Sequence, residues 1–229
     1  MIKKASIMLA VILLAPSVHA ERIGRIMQIS GPVERASVNT GMRYSIRYET
    51  VINSGEKIKT GPGARTEVLL DNGSSILLRE RSQVYFIGLR REKKDSPTRL
   101  ICRYGKVRIT TKKTFDDRTM IVTTPTAIIS LVLADFSVIA SDQETRLLVH
   151  RSKLGVESTS DKIRTAYIVR SGEEIRICKN RAPEKPVYLH PRVITWWFDH
   201  YSVVENHSRI VKRPMDHKLI DWVLREREF

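Results

Sequence analysis

The sequence has few aromatic residues (7%) and only two cysteines among 229 residues. It lacks the local patterns of common catalytic and cofactor sites: no Gly-x-Ser-x-Gly elbow, no His-Glu-x-x-His pair, no P-loop and no dinucleotide-binding glycine set. Beyond residue 20, no apolar run is long enough and free enough of charge to span a bilayer. We therefore predict a protein that is not an enzyme and that uses no cofactor or metal.

The acidic and histidine residues show no catalytic or metal-binding spacing either. Asp116 and Asp117 are adjacent, and neighbours in an extended chain point to opposite sides, so paired acid–base chemistry is disfavoured. The histidines of the C-terminal region fit no standard zinc pattern. They are His190, His200, His207 and His217.

The amino terminus has the pattern of a secretory signal peptide. Lys3 and Lys4 precede a short apolar run, and Val18-His19-Ala20 resembles a cleavage site. The run is shorter than a membrane span requires, although a retained anchor is the alternative. We expect residues 1–20 to be removed and the mature chain to be exported to the periplasm.

Acidic residues are scarce compared with basic ones, 25 against 40, and the net charge is +15. Without Lys3 and Lys4 the mature chain keeps +13, which favours anionic partners. An exported chain rarely meets nucleic acid, so no nucleic-acid partner is expected. An anionic envelope polymer or lipid is the first candidate, and a basic surface without a specific ligand is the alternative.

The two cysteines, Cys102 and Cys178, each lie in a β-like run. An even count in an exported chain is compatible with one disulfide. Two buried free thiols are the alternative. If a disulfide forms, it joins Cys102 to Cys178.

The stretch 54–78 predicts three short strands on two turns. Gly61-Pro62-Gly63 favours a tight reversal, and Asn72-Gly73 is typical of a two-residue type I′ hairpin turn. Thr66, Val68 and Leu70 alternate with their neighbours, which places them on the buried face of a strand. We interpret the turn residues as markers of the fold; they are Gly55, Gly61, Gly63, Asn72 and Gly73.

Short alternating segments with turn signals continue through residue 181. Gly105 and Gly155 are predicted turns, and the apolar run from Ala127 to Ala140 is predicted to form a buried strand pair. Ser171-Gly172-Glu173 echoes Ser54-Gly55-Glu56 without a fixed period. The fold class is therefore mainly β, with stacked short strands in a β-sandwich or a β-helix-like roll.

Proline-rich, aromatic and basic sequence begins near Ala182. Pro191 to Tyr201 and Pro214 to Glu228 are helix candidates. We predict a β domain over residues 21–181 and a small, mainly helical C-terminal appendage over 182–229.

Two groups of residues are candidate partner or ligand contacts. A charged loop supplies basic side chains, and the appendage supplies clustered aromatics, which are common in binding sites. A solvated loop and a cluster that seals the β domain are the alternatives. The candidates are Arg90, Arg91, Lys93, Lys94, Arg192, Trp196, Trp197, Phe198 and Tyr201.

Together these segments resemble the FecR domain family, bacterial periplasmic domains named after the ferric-citrate uptake regulator. The resemblance rests on residues 54–78, Gly105-Lys106-Val107, the Thr-Pro-x-Ala segment in Val122–Ala127, the strand at 145–149 and Gly172-Glu173. It covers residues 23–177. A Gly-Thr-Glu-Phe-like element of the family is replaced here by Val132-Leu-Ala-Asp-Phe136.

The resemblance implies an exported, mainly β, non-enzymatic domain. The best-known members also have a cytoplasmic anti-sigma-like region and a transmembrane helix, which this sequence does not show. We expect a binding or scaffold module of the cell envelope that contacts another envelope protein. The alternative is binding of cell wall or lipopolysaccharide through the basic surface.

Overall fold

The structure is a computed structural model, and it describes residues 21–87, 98–112, 120–204 and 207–212. The predicted signal peptide, the charged loop at 90–94, Asp116 and Asp117, and the helix candidate Pro214–Glu228 lie outside these residues. The predictions made for them therefore stay predictions.

The described residues form eighteen strands and one helix. In chain order they are β1 (Arg22–Ser30), β2 (Val33–Ser37), β3 (Arg43–Tyr44), β4 (Val51–Asn53), β5 (Glu56–Thr60), β6 (Arg65–Leu70), β7 (Ser75–Leu78), β8 (Gln83–Ile87), β9 (Thr98–Thr110), β10 (Met120–Thr123), β11 (Ala127–Leu131), β12 (Ala134–Ala140), β13 (Glu144–Ser158), β14 (Ala166–Arg170), β15 (Glu173–Cys178), β16 (Val187–Tyr188), α1 (Pro191–His200), β17 (Tyr201–Val204) and β18 (Arg209–Lys212).

Sixteen of these strands pair into two sheets, which we call sheet I and sheet II. Sheet I has the order β4-β1-β6-β7-β9-β12-β13-β15-β16. Sheet II has the order β3-β2-β5-β8-β9-β10-β11-β13-β14. Every pairing is antiparallel except β9 with β10. The prediction of a mainly β fold of stacked short strands with a small helical appendage is confirmed.

The long strands β9 and β13 belong to both sheets. The first half of β9 lies in sheet II and its second half in sheet I, whereas β13 runs in the opposite sense, from sheet I to sheet II. With β10, β11 and β12 they form a closed circuit of five strands. The remaining strands extend the two sheets outward from this barrel.

Each long strand changes sheet at a residue with positive φ. Gly105 has a φ of +106° in β9, and Ser152 has a φ of +71° in β13. A Cβ on Gly105 would lie 2.3 Å from the Cα of Ser82, so no other residue fits there. The predicted turns at Gly105 and Gly155 are therefore wrong, since both glycines lie inside continuous strands.

The core lies between the two sheets and consists of the inward members of alternating strands. Burying each large apolar side chain contributes about 2 kcal/mol. Representative core residues are Val68, Ile76, Ile109, Val138 and Leu147 from sheet I, and Ile58, Phe86, Leu100, Val122 and Ile129 from sheet II.

The stretch 54–78 forms β5, β6 and β7 as predicted, with Thr66, Val68 and Leu70 buried. Gly55 and Gly63 have positive φ in the turns before and after β5. A Cβ on Gly61 would lie 2.8 Å from Pro32 Cγ, so this glycine is needed for close packing.

The β6–β7 hairpin differs from the prediction in its turn. The N–H of Gly73 donates to the carbonyl of Leu70 (2.8 Å), and the Asn72 side chain accepts from the N–H of Ser74 (3.0 Å). Among the two predicted turn residues only Gly73 has positive φ (+78°). The type I′ prediction is therefore wrong, because Asn72 uses its side chain and not a left-handed backbone to close the turn.

The Thr-Pro-x-Ala segment places a buried hydroxyl network between β10 and β11. Thr124 Oγ1 accepts from the N–H of Ala127 (2.9 Å) and lies 2.7 Å from Thr145 Oγ1. Thr126 Oγ1 donates to the carbonyl of Ile177 (3.0 Å). Because buried polar groups are costly without partners, these bonds fix the segment against β13 and β15.

The structure corrects the predicted disulfide, since Cys102 and Cys178 are both free. Cys102 points into the core from β9, and burial raises the pKa of its thiol to about 12. Cys178 is half-buried at the end of β15. A buried thiol of such high pKa is a poor nucleophile for thiol exchange.

Candidate functional site

The C-terminal segment docks on the outer face of sheet I. Trp197 of α1 and Val203 of β17 form a buried cluster with Ile139 of β12 and Leu148 of β13. Ile139 and Leu148 point away from the main core, because their strand neighbours Val138 and Leu147 point into it. The segment therefore covers apolar side chains that sheet I would otherwise expose.

The local sequence explains the bounds of α1. Pro191 occupies the first helical turn, where its missing N–H costs nothing, and the Nδ1 of His190 accepts from the N–H of Arg192 (3.3 Å). The helix ends where Tyr201 adopts extended φ and ψ values and begins β17. The helix predicted at Pro191 is confirmed, and the hairpin of β17 and β18 was not predicted.

Cationic side chains of sheet I meet aromatic rings of the docked segment. The guanidinium carbon of Arg146 lies 4.5 Å from the ring centroid of Tyr201, and its Nη1 donates to the Tyr201 hydroxyl (3.0 Å). The same Nη1 lies 2.9 Å from the carboxylate of Glu174. Arg79 and Lys106 both lie 5.9 Å from the ring centroid of Phe198. Cation–π contacts of this kind add to the apolar burial.

The tip of the β17–β18 hairpin is held by a second aromatic contact. The rings of His207 and Tyr104 stack at 3.5 Å with an interplanar angle of 5°, and the N–H of Asp142 donates to the carbonyl of His207 (3.1 Å). Burial lowers the pKa of His207, the charges of Lys59 and Arg81 lower it further, and Asp142 partly opposes them. The neutral imidazole is thus the form that this contact favours.

The predicted contact residues divide into three groups. Trp197 is 1% exposed and packs as a core residue. The interpretation that the aromatic cluster seals the β domain therefore applies to this residue. Phe198 and Tyr201 are half-buried in the same seam, and Arg192 is exposed. The backbone of Trp196 belongs to α1, but the placement of its side chain is not described. The loop cations lie outside the described residues: Arg90, Arg91, Lys93 and Lys94.

Sequence reasoning did not find the sheet residues that complete the seam. Lys106 and Arg146 occupy outward positions in β9 and β13. In an alternating strand, a charged residue at such a position indicates a solvent-exposed face. Tyr104 and His207 lie far apart in the chain. They come together only because the C-terminal segment docks on sheet I, and the sequence did not predict where that segment packs.

A polar cluster on the outer face of sheet I includes Asp135, from the segment in which this sequence departs from the family pattern. Arg108 donates two hydrogen bonds to Asp135 (3.0 and 2.9 Å), and Thr110 donates a third (3.3 Å). Burial alone raises the pKa of Asp135, but the hydrogen bonds and charge of Arg108 outweigh it, so the pKa lies below its ordinary value. Phe136, the next residue, is fully buried in the core.

The neighbouring serine and histidine do not form a catalytic relay. Ser137 Oγ lies 2.8 Å from His150 Nε2, but Ser137 is fully buried. The Asp135 oxygens are engaged by Arg108 and Thr110. Burial and the charge of Arg108 lower the pKa of His150. A serine without access to substrate has a structural role here.

An open cavity of about 530 Å³ lies beside β4 and is lined by Arg35, Arg47, Tyr48 and Glu49, among others. Arg35 Nη1 donates to the carbonyl of Val51 (2.6 Å) and lies 3.4 Å from Glu56. Its charge is therefore already balanced, and its hydrogen bond holds β4 in place. The cavity offers no constellation for chemistry.

Within the described ranges, no group of three or more His, Cys, Asp or Glu side chains is arranged to hold a metal ion. No helix in this part of the chain has the length and apolarity needed to cross a membrane.

The fold of the two-sheet β domain is similar to that of solved structures. Two crystal structures of a putative anti-sigma factor from Parabacteroides distasonis ATCC 8503 share its fold. One is 15% identical with a TM-score of 0.52 and covers 65% of this chain and 67% of that one. The other is 12% identical with a TM-score of 0.53 and covers 74% and 91%. No curated protein matches the chain significantly.

The family model named "FecR protein" matches residues 56–154, from the first residue of β5 to the second half of β13. The resemblance read from the sequence is therefore confirmed, and this part of the chain is a FecR domain. The match includes the whole five-stranded barrel except the last residues of β13.

Proposed function

We propose that this protein is an exported, non-enzymatic FecR module of the bacterial cell envelope that acts in regulation by contacting another envelope protein. The observation that carries the proposal is the FecR domain over residues 56–154. Envelope association and regulation are properties of that family. The signal-peptide pattern at residues 1–20 supports export.

The polar side chains of the described residues support a binding role over a catalytic one. Two carboxylates of sheet I are tied into ion pairs, Asp135 with Arg108 and Glu174 with Arg146. A general acid or base needs a free carboxyl or imidazole in an accessible cleft. Asp135 and Glu174 instead hold strands and the C-terminal segment together.

In-cell crosslinking tests the proposal. A photo-crosslinking amino acid at an exposed position of either outer face, residue 192 of α1 or residue 168 of β14, should capture a distinct envelope protein, and the adduct should persist at high salt. The same cells without irradiation are the control. Mass spectrometry of the same sample should show a mature chain that begins at Glu21. If no protein is captured from any surface position, the partner proposal fails.

The net charge of the mature chain favours a second candidate, binding of an anionic envelope polymer or lipid. Binding through Lys and Arg side chains weakens steeply with ionic strength. Purified protein should then sediment with isolated peptidoglycan or lipopolysaccharide at low salt. It should be released at 0.5 M NaCl, because the electrostatic screening length there is only about 4 Å. Salt-sensitive sedimentation without any protein adduct would favour this candidate over the first.

A further inference from the structure

The strands β10 and β11 each carry an isoleucine on the outward face. Val122 and Ile129 point into the core, while Ile121 and Ile128 point outward. In a sheet with one solvated face the outward positions are usually polar. The outer face of sheet II therefore departs from the expected alternation at its centre.

The strand registers join these outward residues into two adjacent rows across sheet II. One row runs through paired positions in the order Ile87, Arg99, Ile121, Ser130, Gly155 and Ile168. The second runs in the order Tyr85, Ile101, Thr123, Ile128, Glu157 and Ala166. We call these two rows the isoleucine face.

The isoleucine face is accessible in the described part of the chain. Ile168 is 54% exposed and Ile87 is 37% exposed at opposite ends of one row. Its isoleucines belong to neither buried cluster. The contrast with sheet I is direct, because there the outward Ile139 and Leu148 are fully buried beneath the C-terminal segment. Ile101, Ile121 and Ile128 are half-buried between the two ends of the isoleucine face. Exposed apolar side chains grouped on one face can mark an interaction site.

Cationic side chains border the isoleucine face. Lys57 and Lys59 lie on its β5 side, Arg99 lies within it, and Lys153 and Arg170 are paired at its β14 side. Like charges directly opposite each other destabilise a sheet unless a partner neutralises them. None of these five is ion-paired with another described residue. Two acidic residues lie close by. Glu34 is opposite Lys59 and 3.8 Å from Arg43, and Glu157 lies in the second row opposite Ile128, so the border is mainly basic.

Because the face combines outward isoleucines with a mainly basic border, we propose that it is a docking surface for another protein that presents an apolar patch bordered by acidic residues. This inference rests on the proposed function and names the surface that serves it. A second copy of the chain is a poor occupant, because two copies would bring their basic borders together on a chain that already carries excess positive charge.

Site-specific crosslinking in cells identifies the occupant. The photo-crosslinking amino acid is placed at residue 168 on the isoleucine face. The matched control is residue 187 of β16, where Val187 is 60% exposed at the edge of sheet I. We expect one acidic envelope protein to be captured from residues 168 and 87 and not from 187.

Binding of that captured protein, purified, then tests the surface quantitatively. Ile168→Lys should weaken its affinity about tenfold or more, as expected for an apolar interface contact, while Val187→Lys should change it less than about twofold. Lys153→Glu with Arg170→Glu should also weaken binding, and the loss should shrink at high salt. All these positions are exposed, so circular dichroism and melting should match the wild type.

The remaining outcomes separate this inference from the proposed function. An adduct of twice the chain mass from residue 168 would identify a second copy and overturn the inference. A crosslink within the chain, to residues 88–97, 113–119 or 213–229, would show that the protein covers its own face and would also overturn it. Capture of a protein from residue 187 or 192 alone would leave the proposed function standing and refute this surface. Lipid or polymer adducts alone would refute both.

Discussion

The imidazole of His207 stacks on the phenol ring of Tyr104 at 3.5 Å, with the two rings within 5° of parallel. This contact joins the tip of the β17–β18 hairpin to the point where β9 leaves sheet II. It links a residue of the C-terminal segment to the FecR domain. The attachment of the segment therefore depends in part on a titratable side chain.

Docking of the hairpin should weaken in acid. The pKa of His207 is lowered in the folded protein, chiefly by burial and then by Lys59, so the unfolded state binds the proton more tightly. Stability from this contact is fully present above the ordinary histidine pKa of about 6.5 and is lost as the pH falls below it. Amide hydrogen exchange in β17 and β18 should rise between pH 7.5 and pH 5.

His207→Phe is the control, because phenylalanine keeps a stacked ring without a titrating group. Its exchange rates, corrected for intrinsic pH dependence, should stay level over the same range. His150 also has a lowered pKa but lies on β13, and His150→Gln should leave the hairpin response in place. Equal pH responses in wild type and His207→Phe would contradict the prediction.

Replacing Trp197 should release the C-terminal segment. Trp197→Ala removes the largest side chain of the cluster with Ile139 and Leu148, which costs about 3 kcal/mol. Limited proteolysis should then cleave near α1 while the β domain stays resistant. Binding of a hydrophobic dye should rise because sheet I exposes its outer apolar side chains.

Trp197→Phe provides the comparison. It keeps most of the apolar contact and removes a buried indole N–H that has no hydrogen-bond partner among the described residues, so its loss should be clearly smaller. Truncation after residue 181 should leave a β-rich chain by circular dichroism. An unfolded truncation product would show that the segment is part of the domain's folding unit.

Substitution of Gly105 should be far more damaging than substitution of another left-handed glycine. A Cβ at Gly105 would overlap the backbone of Ser82, whereas Gly41 has a φ of +68° and a Cβ added there would meet no atom within 4 Å. Gly41→Ala should cost about 1 kcal/mol from backbone strain alone. Gly105→Ala should cost several times more or prevent soluble expression, as measured by thermal melting. Similar melting temperatures for the two variants would contradict the packing argument.

The Arg108–Asp135 pair should contribute modestly and in a pH-dependent way. Asp135→Asn should lower stability by about 1 kcal/mol near neutral pH, because Arg108 is partly exposed and the pair is screened. The pKa of Asp135 is lowered in the folded state, so the contribution is present above the ordinary aspartate pKa and disappears as the pH falls through the folded value. Urea titrations at pH 7 and pH 3 should show the difference between the two proteins vanishing in acid.

The sequence predicted the local parts of this fold better than its long-range parts. Alternation identified the buried residues of β6, and the glycine at residue 55 marked a true turn, because both depend on a few neighbouring residues. Gly105 carries the same signal as a turn glycine, yet β9 continues through it. Both a sheet crossing and a turn require a positive φ at one residue, so the presence of a glycine alone cannot distinguish them.

The candidate site was only partly predictable for a related reason. The aromatic cluster near Trp197 is visible in the sequence, but whether an aromatic faces a partner or its own domain depends on which surface lies opposite. Ile139 and Leu148 provide that surface, and both look like ordinary core residues of a β-rich segment. The isoleucine face was hidden in the same way, because the apolar run from Ala127 to Ala140 reads simply as buried strands.

The passage of β9 through both sheets connects the two outer surfaces of the domain. Ile101 lies on the isoleucine face and Lys106 lies under Phe198, so one continuous strand carries a contact to each outer surface of the domain. β13 does the same with Arg146 and Gly155. Each of the two long strands therefore provides a continuous covalent path between the contacts of the C-terminal segment and the opposite surface of the domain.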